Sequence, residues 1–98
     1  MTPEGLVKKD IKDYLKSLAP ALWFFMPVPM GYGVTGIPDF VGCFKGRFIV
    51  IEAKRKNGAV RPRQSIVMGL MAKAGAFILL VDNVEDVKRA FEPFRDVV

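Results

Sequence analysis

From Leu6 to Leu18 the apolar residues recur at helical spacing. Leu6, Val7, Ile11, Tyr14, Leu15 and Leu18 share one side, and Lys8, Lys9, Lys12, Asp13 and Lys16 occupy the other. Thr2-Pro3-Glu4 opens this segment with a side-chain cap, a proline where the N–H would be unpaired anyway, and an acid in the first turn. The spacing predicts a first helix from Pro3 to about Leu18. Leu22 to Val28 then reads as a strand, and Met30 to Gly36 as a loop carrying Gly31, Gly33 and Gly36. Tyr32 in that loop is either a base-stacking residue or a side chain packed at a loop edge.

Two runs rich in β-branched and aromatic residues follow, Ile37 to Phe44 and Arg47 to Ala53, separated by Lys45-Gly46. That pattern predicts an antiparallel hairpin turning on Lys45-Gly46, with Phe44 opposite Arg47. Continuing the pairing brings Asp39 opposite Glu52, with Cβ atoms roughly 4.5–5.5 Å apart. Pro38 removes a ladder donor just before Asp39, so pairing should end or bulge there. Lys56-Asn57-Gly58 marks a turn, and Pro62 opens a second helix to about Ala74 with Gly75 as its cap. Its apolar stripe reads Ile66, Val67, Leu70, Met71 and Ala74. Ala76 to Asp82 is nearly all apolar, as in a central strand covered on both faces. Asn83 caps a last helix, Val84 to about Phe91, and Pro93 marks its end. The order α-β-β-β-α-β-α predicts an α/β domain with a mixed sheet flanked by helices.

Ninety-eight residues make one domain, and 51% hydrophobic residues with 8 Phe exclude disorder. The formal charge of +5 favours a polyanionic partner without identifying one. The absence of His removes His-type zinc sites, the Ser-His-Asp triad and histidine general-base chemistry together. The lone Cys43, inside an apolar strand, is expected to be a buried thiol. A charged first helix in place of an apolar leader, and no run near the ~20 residues needed to span a bilayer, predict a cytoplasmic protein with no membrane partner.

The chemistry concentrates in the hairpin. Side chains alternate along a strand, so Glu52 and Lys54 point the same way and meet Asp39 on one face. Two carboxylates this close repel unless a proton or cation lies between them, and oxygen donors suit Mg²⁺ or Mn²⁺. Glu4 shares the inward phase of Val7 and Ile11, and either joins this site or merely complements the helix dipole. Gln64 shares the phase of Val67 and Met71. It either satisfies a loop backbone or serves the site.

Pro38-Asp39 followed by Glu52-Ala53-Lys54 resembles the P-D…(D/E)-x-K signature of the restriction-endonuclease-like superfamily. With Gly36-Ile37 before it and Gln64 after it, the string is similar to the virus-type replication-repair nuclease domain, VRR-NUC. The resemblance extends to Glu4 and implies a restriction-endonuclease-like mixed sheet and metal-dependent cleavage of DNA. It further implies that Asp39, Glu52 and the Ala53 backbone carbonyl hold Mg²⁺ or Mn²⁺, with Glu4 adding a direct or water-mediated contact. Lys54 and Gln64 would complete the catalytic set. Stand-alone domains of this type resemble dimeric Holliday-junction resolvases, so the expectation is a homodimer acting on branched DNA. The rival expectations are a catalytically silent nucleic-acid-binding module of the same fold and a structural oligomerisation domain.

Overall fold

The computed structural model describes residues 1–28 and 35–95. Its elements run α1 (Pro3–Ser17), β1 (Leu22–Phe25), β2 (Phe40–Phe44), β3 (Arg47–Ala53), α2 (Pro62–Lys73), β4 (Phe77–Val81) and α3 (Val84–Phe91), closed by a 3-10 turn at Glu92–Phe94. The strands form one sheet in the order β1-β2-β3-β4, with β1-β2 and β2-β3 antiparallel and β3-β4 parallel. This is the predicted mixed sheet in the predicted order.

The helix ends obey their local chemistry. Thr2 Oγ1 accepts from the Gly5 N–H at 3.0 Å, and Asn83 Oδ1 accepts from the Asp86 N–H at 2.8 Å. In the hairpin, Lys45 (φ 49°) and Gly46 (φ 85°) are both left-handed, as a type I′ turn requires. That turn sets the anticipated register, from Phe44 opposite Arg47 to Phe40 opposite Ile51. β1 stops at Phe25, short of the expected Val28, and Pro27 just beyond it has no N–H to give a ladder. β1 also lies very close to β2: a Cβ on Gly42 would stand 2.2 Å from the Trp23 carbonyl oxygen. Only glycine fits there.

One face of the sheet is the core. Leu22, Phe40, Phe44, Ile49, Ile51, Ala53 and Val81 meet Ile11 and Leu15 of α1 and Val87 and Phe91 of α3, with the Phe44 and Phe91 rings edge-on at 5.0 Å. The other face is covered unevenly. Alternation and register place Trp23, Phe25, Val41, Cys43, Phe48, Val50, Glu52 and Leu80 on it. Val50 is fully buried, yet Trp23 is 68% exposed, Phe25 49%, Phe48 45% and Leu80 52%.

Three expectations are corrected on this face. Cys43 is exposed, because its side of β2 is not roofed by a helix. β4 is an edge strand of the described sheet, although both α2 and α3 pack against it, which accounts for its apolar run. In α2, Val67 and Met68 are the buried residues, while Ile66 (55%) and Leu70 (62%) are exposed. Arg63 Nε donates to Thr35 Oγ1 at 3.1 Å, so that flank of α2 looks towards the start of β2. Ile66 and Leu70, three and seven residues on, share that exposed flank.

Candidate active site

At the end of the same face, Glu52 is the one charged residue that is buried among the described residues, with 1% exposure. β3 carries it into the interior because neighbouring Val50 and Ile51 are core residues. Isolated there, its charge would be costly, so its oxygens are fully engaged. Oε1 accepts the Asp39 main-chain N–H at 3.1 Å, and Oε2 accepts Gln64 Nε2 at 2.9 Å and pairs with Lys54 Nζ at 3.1 Å. Asp39 reciprocates, its Oδ2 accepting the Ala53 N–H at 2.9 Å. Its Oδ1 pairs with Lys8 Nζ at 3.1 Å, and Lys8 Nζ also lies 3.4 Å from Glu4 Oε2.

The expected convergence of Asp39, Glu52 and Lys54 is therefore present, and α2 adds Gln64 from its first turn. The register that Pro38 terminates is what makes the exchange possible. With no ladder rung at Asp39, its N–H and the Ala53 N–H turn to carboxylates. Glu4 is less closely joined: it reaches Asp39 through Lys8. Lys8, placed by its sequence phase among solvated lysines, is a member of the cluster. The available signal was its position four residues after Glu4, one helical turn on. Tyr32, Gly31 and Gly33 lie outside the described residues.

Burial raises the pKa of Glu52 above its ordinary 4.5, and the negative charge of Asp39 adds to this; Lys54 acts against both. Burial pulls Lys8 downward, but its bonds to Asp39 and Glu4 outweigh it and hold the ammonium above 10.5. One acceptor is left over. Gln64 Oε1 is buried with no hydrogen-bond partner, because the amide nitrogen is committed to Glu52. A donor such as an ordered or metal-bound water would satisfy it.

An oxygen-only donor set, with a buried Glu52 beside a part-exposed Asp39 that repels it, fits a hard divalent cation. The fit has a limit. Among the described residues no three acids come close enough to hold a metal by themselves. Asp39 and Glu52 would need main-chain carbonyl and water oxygens to complete a sphere. Lys54 lines an open depression of about 250 Å³, walled by Arg55, Asn57 and Asp82 on polar sides and Val60 and Leu80 on apolar ones.

The mixed sheet of this order and connectivity, with its acids at the end of the central hairpin, defines an α/β architecture with a candidate site at one sheet end. A solved structure described as a VRR_NUC domain matches it with a TM-score of 0.77 and 24% sequence identity, over 94% of this chain and 97% of that one. The chain has the VRR_NUC fold. No protein-family model matches the sequence, and no curated protein is significantly similar to it.

Proposed function

We propose that this protein is a metal-dependent endonuclease that hydrolyses phosphodiester bonds in DNA, with branched DNA as its preferred substrate. The observation that carries the reading is the clasp of Asp39 and Glu52 by each other's strand, completed by Lys54 and Gln64. Glu52 is buried beside a second carboxylate that raises its pKa, a repulsion that a cation between the two would relieve.

Asp39, Glu52 and the Ala53 carbonyl would hold Mg²⁺ or Mn²⁺, with Glu4 contributing through water. The bound ion supplies a lowered pKa for attacking water and charge neutralisation at the phosphoryl oxygens. Lys54, tethered to Glu52, would orient a water at the site or offset negative charge developing on the phosphate. The unused Gln64 Oε1 would accept a hydrogen from such a water and fix its direction. Arg55, Arg61 and Arg63, exposed on the loop and helix beside the site, grip flanking phosphates.

The unroofed apolar face supports a homodimer. Trp23, Phe25 and Phe48 share one face of the sheet and stand exposed, the aromatic composition of an interface centre. A two-fold pair would present two sites to the two strands of a junction. No helix among the described residues is long and apolar enough to cross a membrane.

The test is cleavage of four-way, flapped, single-stranded and duplex DNAs with Mg²⁺ or Mn²⁺, alongside sedimentation. Junctions cut first, by a dimer, are expected. DNA binding without cleavage under any divalent ion would favour the silent binding module instead.

A further inference from the structure

We propose that Lys8 competes with the divalent ion for Asp39 and so sets how much free metal the site needs; this rests on reading Asp39 and Glu52 as the metal's ligands. Of the four carboxylate oxygens, three are engaged by the hairpin's own N–H groups or by Gln64 and Lys54. The fourth, Asp39 Oδ1, is held by the Lys8 ammonium at 3.1 Å. Its partner is a part-exposed lysine of α1, on a flexible stem that can leave without disturbing the hairpin.

Two cations on that one oxygen repel each other. A magnesium ion binds a carboxylate oxygen at about 2.0–2.1 Å, so an ammonium still bonded to the same oxygen would lie a few ångströms from a double positive charge. α1 cannot back away, because Ile11 and Leu15 are fully buried. The lysine side chain has room to move instead, being 32% exposed, and Glu4 one turn back already pairs with it. Glu4 thus offers the displaced ammonium a second carboxylate. Lys8 and Lys54 divide the labour: one neutralises Asp39 and gives way, the other stays with Glu52.

The experiment is calorimetric titration of the full chain with Mn²⁺ in the absence of DNA, for wild type, Lys8→Met, Lys12→Met and Asp39→Ala. Lys8→Met should bind Mn²⁺ about tenfold more tightly, the scale of one well-placed charge. Lys12→Met removes the same charge from an exposed position of α1 and should change affinity by less than about twofold. Circular dichroism checks each fold, and Lys8→Gln replaces Lys8→Met should the latter not fold. Unchanged or weaker binding by the Lys8 variant, or equal tightening in Lys12→Met, overturns the proposal. The metal-site reading fails separately: it is lost when Asp39→Ala binds Mn²⁺ as well as wild type. Loss of binding in Asp39→Ala with an indifferent Lys8 variant removes the Lys8 inference alone.

Discussion

The two ends of the α2-side face of the sheet break opposite rules of burial. At one end Glu52 is buried with its charge; at the other, Trp23, Phe25 and Phe48 stand in solvent. Ordinary folding would exchange them, hiding the aromatics and exposing the acid. Both departures cost stability, and both lie on one face of one sheet. The opposite face shows what the sheet does when only packing is at stake: Phe40, Ile49, Ile51, Val87 and Phe91 are almost wholly enclosed. Packing alone governs one side of the sheet, while the other carries the buried acid at the open end of the hairpin and exposed aromatics where no helix covers the strands.

The sharpest break comes at the charged end. Asp39→Ala is expected to lower cleavage by about 10³-fold, the scale of losing a principal transition-state stabiliser. The fold should survive, because the Asp39 N–H still reaches Glu52. Single-turnover kinetics on protein with wild-type circular dichroism measures it, and wild-type rates would end the site assignment. Lys54→Ala should cost about 10²-fold in kcat while metal affinity changes little, since the ammonium is not a ligand. Equal losses in both quantities would make Lys54 structural.

The apolar end should respond in the other currency. Trp23→Asp is expected to weaken self-association by about 2 kcal/mol, roughly thirtyfold, with no loss of monomer stability, because the side chain is already 68% exposed. Sedimentation across a concentration series reads the first effect and urea denaturation the second. An unchanged dimer, or a monomeric wild type, would remove this end from the comparison.

The smallest effect is in pH. Glu52 has a raised pKa in the folded chain, so its contribution to stability is full below the ordinary value of 4.5 and is lost as pH rises through the folded value. In buffer without divalent ions, wild-type Tm should therefore decline over that window. Glu52→Gln should lack this component, a difference of only a few degrees. Parallel curves for the two proteins would mean that Lys54 already cancels the cost.

Much of the site was legible because the turn chemistry is local. Lys45-Gly46 dictates a type I′ hairpin, the hairpin dictates the register, and the register brings Asp39 to Glu52. Gln64 followed from helix phase for the same reason. What escaped depended on cover, which is not a local property. Alternation assigns Cys43 to a face but does not tell whether a helix roofs that face, and so its thiol was expected inside. Ile66 and Leu70 look like core residues by hydropathy, yet the partner surface for their flank is absent from this chain's own described residues. Lys8 escaped because its neighbour in space, Asp39, enters through the packing of α1 on a strand end far along the sequence.

The reciprocal bonds between the hairpin strands carry a further meaning. Each carboxylate is held by a main-chain N–H from the opposite strand, so the site exists only in one alignment of the two. A slip by one residue would turn Asp39 and Glu52 to opposite sides of the sheet and disband the site with no other change of sequence or composition. The paired acids are in this sense a checksum on the fold. A chain trapped in a misaligned hairpin lacks the pair, and the candidate site arrives together with the native register.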